Sequence, residues 1–272
     1  MSSPEKAAAL LADLRTEDGG FAPAPGGEPE PEPTALAALA LDDAPARQWL
    51  ADHQQDDGAF LVGPEPIRND TATSLAAIAA DGAVRDRALD YLVNHPAQPI
   101  GFDERFPHDE STRGWGWTSR TFGWVEPTAR AVLALKLGRP ASRDIADGIA
   151  VLIDRECNGG GWNYGNPEVL GRTLEPFLQT TAAGLIAVHD GPADLRDRAV
   201  AVVEALWAHE PGGLGWAMSV VGLRLAGREA AEYADELESL VDRTRLRDDA
   251  VALGWAVMAL GDGWEQLRSQ AQ

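Results

Sequence analysis

Five carboxylates stand just ahead of alanine- and leucine-rich runs: Glu32, Asp70, Glu126, Glu175 and Asp248. At the start of a helix a carboxylate accepts orphan backbone N–H groups and complements the helix dipole. If the runs are helices gathered around one axis, the same positions converge on one mouth, where a buried carboxyl would hold its proton above the usual range. Capping alone and a shared functional mouth both fit these residue types.

Aromatic side chains accompany the acids. Trp115, Trp117, Phe122 and Trp124 precede Glu126, Trp162 and Tyr164 precede Glu175, and Trp216 and Trp255 lie inside later apolar runs. Such residues serve as core anchors, or they line a cavity where their π faces stabilise cations or stack on sugars. Cys157 is the only cysteine and reads as a small buried hydrophobe. The His residues are scattered, and His108 reads as a surface loop residue. A tight zinc site is therefore not expected, and no cofactor is implied.

The elements that would position these groups come from a repeat. A Gly-rich turn with an aromatic, a polar stretch, and Thr-Ala opening an Ala/Leu run recur at 18–41, 56–80, 114–135 and 159–188, with worn copies at 212–227 and 248–261. Between them lie segments with a one-sided apolar stripe, such as Leu195, Ala199, Val202, Val203 and Leu206. Two kinds of helix thus alternate. Striped outer helices are predicted near 4–15, 44–55, 84–94, 141–155, 193–208 and 229–243. All-round apolar inner helices are predicted near 33–41, 70–80, 127–137, 180–188, 214–226 and 247–260. Six pairs with an apolar inner layer specify an all-α, (α/α)6 toroid, with 1–272 as one domain; an open solenoid would need polar capping repeats. Insertions at 95–125 and 163–178 both fall on outer-to-inner connections and so share one rim.

Lys and Arg number 23 against 43 Asp and Glu, a net charge of −20. That surface repels nucleic acid and anionic lipid headgroups. No apolar run reaches the roughly 18 residues that span a bilayer. The N-terminal stretch carries Glu5, Lys6 and Asp13 and does not read as a signal peptide, so a cytoplasmic location is expected.

The turns GGGWNYGN and GWGW, followed by WVEPTA and QTTA, resemble the repeats of the prenyltransferase and squalene-oxidase-repeat superfamily, across essentially the whole chain. The resemblance implies a central apolar cavity and an isoprenoid ligand, as in a terpenoid cyclase or a polyprenyl-binding toroid. Protonating cyclases of that group carry Asp-x-Asp-Asp-Thr-Ala; here Ile67-Arg68-Asn69-Asp70-Thr71-Ala72 keeps only the last Asp, with Asn69 at the usual donor position. The zinc motif of the protein prenyltransferases is matched only by Asp154-Arg155-Glu156-Cys157, which has one residue too many. A proton donor would then have to combine Asp70 with Glu126, the acid opening the next inner helix, with Trp124 desolvating the pair. The alternatives are a toroid scaffold that has lost the chemistry, and a carbohydrate-active toroid.

Overall fold

A computed structural model describes residues 3–98, 101, 103–109, 111–118, 121–210, 212–241 and 245–268. The rest, including parts of the first insertion, lie outside the described residues. Six inner helices are α2 (Pro31–Ala40), α4 (Asp70–Ala79), α6 (Val125–Gly138), α8 (Leu178–Val188), α10 (Gly213–Leu225) and α12 (Ala250–Leu260). Six outer helices are α1 (Ser3–Ala12), α3 (Ala44–His53), α5 (Gly82–Asn94), α7 (Asp144–Asp154), α9 (Ala193–Leu206) and α11 (Ala231–Val241). Each inner helix packs on the next, and α12 packs on α2, so the ring closes. All ten residues of α4 are buried, as a helix covered on every side requires.

Packing pairs each inner helix with the outer helix that follows it in sequence, not the one before: α2 with α3, α4 with α5, α6 with α7, α8 with α9 and α10 with α11. The last inner helix has no successor, and α1 takes that place against α12. Ala7, Leu11 and Leu14 bury themselves there.

The repeated Gly-aromatic turn and Thr form one device. The backbone N–H groups of Phe21, Phe60, Trp115 and Trp162 donate to the Oγ1 atoms of Thr34, Thr73, Thr128 and Thr181 at 2.9–3.0 Å. The carbonyl oxygens of the same four aromatics accept from the residues that open the inner helices, Glu30, Asn69, Trp124 and Phe177. Each turn is thereby latched to its helix from both sides, satisfying otherwise buried backbone groups. Gly58 shows why the turn needs glycine: its φ is +91°, and a Cβ would stand 2.1 Å from the Arg87 carbonyl oxygen.

At the opposite end of the ring, cations close the helix C-termini. Arg47 donates to the carbonyls of Ala38 and Ala79, Arg85 to those of Ala77 and Ile78, Lys136 to that of Ala187, and Arg224 to those of Ala259 and Gly261. Two short hairpins decorate the N-terminal rim: β1 (Leu61–Val62) with β2 (Ile67–Arg68), and β3 (Glu168–Val169) with β4 (Arg172–Thr173). No helix among the described residues is long and apolar enough to cross a membrane.

Candidate functional site at the N-terminal mouth

The Thr latch supplies a common ruler for the inner helices. Two residues before Thr34, Thr73, Thr128 and Thr181 stand Glu32, Thr71, Glu126 and Gln179. Two residues after the same threonines stand Leu36, Leu75, Arg130 and Ala183. These are successive layers of the ring axis, one helical turn apart. In the upper layer Gln179 Nε2 donates to Glu126 Oε2 at 3.5 Å. Between the layers Arg130 Nη2 donates to Glu126 Oε1 at 3.3 Å. Arg130 also reaches Met218 Sδ on α10 at 3.5 Å and lies over the Trp255 ring on α12, 4.5 Å from its centroid. Since α6 and α12 are opposite members of the ring, the Arg130–Trp255 contact spans the axis.

This is not the apolar bore expected from the repeats. A guanidinium only 2% exposed occupies its centre. Arg130 Nε and Nη1, Trp255 Nε1 and Thr71 Oγ1 are buried without a hydrogen-bond partner. Leaving charged donors unmet is costly, and the ion pair with Glu126 and the π face of Trp255 offset only part of that cost.

Electrostatics single out Glu32. Burial pushes its carboxyl up to about 7; Arg130 draws it down, while Glu126, Glu30 and Asp249 push it further up. Glu32 is therefore a carboxylic acid about half protonated at neutral pH, beside Glu126, whose charge is met by Arg130. A proton donor and a charge-stabilised carboxylate at one mouth are the elements of general acid–base chemistry. On the other side of the mouth Gln179, Asp248, Asp249 and Ala252 line a cavity of about 790 Å³.

The other candidates occupy different places. Asp70 and Glu126 have separate partners: Asp70 Oδ2 accepts from the Gly116 N–H at 3.0 Å, and Tyr91 Oη donates to Oδ1 at 3.5 Å. The latch register gives the two acids different directions. Asp70 precedes Thr73 by three residues and Glu126 precedes Thr128 by two, so the two acids point about 100° apart around their helices. Burial raises the Asp70 carboxyl to about 6, with Gly116 and Tyr91 opposing the shift. Asn69 caps α4 at the rim, accepting from the Ala72 N–H at 2.8 Å. The cap of α12 is Asp249, not Asp248, which sits exposed in the preceding short 3-10 turn. Glu175 is exposed, ahead of α8.

Three of the aromatics anchor outward, away from the axis. Trp115 donates to the Leu92 carbonyl, Trp162 to that of Leu152, and Trp216 to that of Trp207, on which it also stacks at 4.2 Å. Trp162 fits a notch at Gly184, where a Cβ would come within 2.4 Å of its ring. Phe122 and Trp124 pair at 4.5 Å on the rim, half-buried like Trp117, while Tyr164 is exposed and leans on Phe177 at 5.4 Å. Trp255, under the Arg130 guanidinium, faces the axis. Arg130 is absent from the sequence candidates, and Thr71 and Gln179 enter there only as members of motifs; Arg130 stands one turn after Glu126, and the other two stand two residues before a latch threonine. Cys157 is buried, as its type suggested, and burial raises its thiol.

No protein-family profile and no curated protein sequence matches this chain. Solved structures do. A family 8 glycosyl hydrolase, the endoglucanase Cel10 of Klebsiella pneumoniae, is similar at a TM-score of 0.59 and 14% identity, with 95% of this chain and 99% of that one covered. A protein from Actinoplanes is similar at a TM-score of 0.55 and 15% identity, covering 94% of this chain and 79% of that one. The chain is an all-α toroid of the architecture that these structures share.

Proposed function

We propose that the whole chain acts as one toroid on a hydroxyl-rich substrate of the carbohydrate class, cleaving a glycosidic bond at the N-terminal mouth. Glu32 would protonate the leaving oxygen and Glu126 would serve as the partner carboxylate, positioned by Arg130 and Gln179. The observation carrying this reading is the upper axial layer itself: two glutamates at equivalent helix positions, one holding its proton near neutrality. Similarity of the fold to an endoglucanase agrees with it. The isoprenoid reading has less support. A buried guanidinium at the axis repels a developing carbocation, and the Gly-aromatic and Thr residues that carry the family resemblance are occupied as latches.

Reducing-end release from soluble β-glucans, xylan and chitosan tests the proposal. Activity on at least one of them should fall about 100-fold or more in Glu32→Gln and Glu126→Gln, with the helical circular dichroism retained. Absence of release from all of them would refute it in favour of a toroid scaffold, the reading that the Arg130–Trp255 bridge across the axis favours next. Consumption of farnesyl or geranylgeranyl diphosphate, or of squalene, would instead restore the isoprenoid reading.

A further inference from the structure

Turned away from the axis by its one-residue offset, Asp70 lies at the inner end of a second cavity. This cavity, about 730 Å³, lies between α4, α5 and the first insertion, and its walls include Asp57, Arg68, Tyr91, His95, Gln98 and Arg113. It shares no lining residue with the glutamate mouth. Two carboxylates and two guanidiniums give the lining no net charge, yet the charges are not all paired.

Asp57 and Arg68 neutralise each other at 2.6 Å. That leaves Asp70 and Arg113. Asp70 is only 2% exposed, and its carboxylate accepts one good hydrogen bond, from Gly116, and one long one, from Tyr91. A carboxylate offers about four acceptor sites, so capacity remains. Arg113 is exposed and has no ion pair or hydrogen bond among the described residues. Tyr91 and His95, stacked at 4.5 Å, form one side, and the Nδ1 of His95 faces the Tyr91 carbonyl. The cavity therefore presents an unmet negative charge deep inside and an unmet positive charge toward solvent.

A lone anion drawn to Arg113 would meet Asp70, and a lone cation drawn to Asp70 would meet Arg113. A neutral polyol would leave both charges uncompensated. A molecule carrying both signs satisfies both at once. We propose that this cavity binds a free α-amino acid, with its ammonium group toward Asp70 and its carboxylate toward Arg113.

Isothermal titration calorimetry of the full chain tests this, above neutral pH where Asp70 is ionised. The probes are the common free amino acids, each compared with the amine lacking the carboxylate and the acid lacking the amine. At least one amino acid should bind saturably, and its two truncated analogues at least about tenfold more weakly. Asp70→Asn, which keeps an oxygen for the Gly116 N–H, and Arg113→Gln should each weaken binding by a similar factor. Glu32→Gln should leave it unchanged, which separates this site from the catalytic proposal. If Asp70→Asn fails to fold, the exposed Arg113→Gln variant decides alone. The proposal is overturned if no amino acid binds at millimolar concentration, or if an amine without the carboxylate binds equally well.

Discussion

The chemistry of single residues here depends on one step of register. Glu32 and Glu126 face the axis, Asp70 faces α5 and the first insertion, and the difference is the spacing to the threonine latch. Glu32 carries a consequence for stability. Its carboxyl titrates at about 7 in the folded chain, against an ordinary value of 4.5. Between those values the folded state binds more protons than the unfolded one, so Glu32 lowers stability progressively as pH rises from about 4.5 to above 7. Glu32→Gln lacks that slope. Urea unfolding at about pH 4 and about pH 8 should show the variant gaining on the order of 2 kcal/mol relative to the parent across the interval. An unchanged difference would mean that Glu32 is solvated at the mouth and unfit as a proton donor.

At the scale of elements, four of the six inner helices, α2, α4, α6 and α8, are joined to their turns by a threonine latch. Thr73 accepts the N–H of Phe60, which is fully buried. Thr73→Val keeps the shape but orphans that donor, and should cost about 1–3 kcal/mol in chemical denaturation. Thr71→Val is the internal control. The Thr71 hydroxyl is buried without a partner, so its replacement should be near neutral or stabilising. Equal costs at the two positions would mean that the latch is not what holds the turn. The helix C-termini are served differently, by Arg47, Arg85, Lys136 and Arg224 on carbonyls. Side chains thus satisfy backbone groups at both ends of the inner layer, threonines at the N-terminal turns and cations at the C-terminal carbonyls.

For the whole molecule, closure depends on the N-terminal helix. α1 covers the outer face of α12, the one inner helix without a following partner; Leu11 on α1 and Leu14 just after it are both buried. Removing residues 1–15 should cost at least about 4 kcal/mol from those two side chains alone, at roughly 2 kcal/mol each. The truncated chain should unfold at lower urea and recover on adding a peptide of residues 1–16. Unchanged unfolding of the truncated chain would show that the ring closes without it.

Helix number, type and near-final boundaries follow from local pattern, because all-round apolarity and a one-sided stripe are properties of consecutive residues. The toroid was legible for the same reason: six alternating pairs can bury a continuous inner layer by closing on themselves. The pairing of α1 with α12 was not legible, since it joins the two ends of the chain. Nor was the direction of Asp70, because a helix turns about 100° per residue and only the Phe60–Thr73 hydrogen bond sets the phase. The axial site was hidden for a related reason. Arg130 on α6 looks like one charge in an apolar run, and its partners Glu126, Met218 and Trp255 come from one turn earlier, from α10 and from the opposite helix α12. Sequence determined which helices this protein makes and that they form a ring; only tertiary packing decided which polar groups meet at its centre.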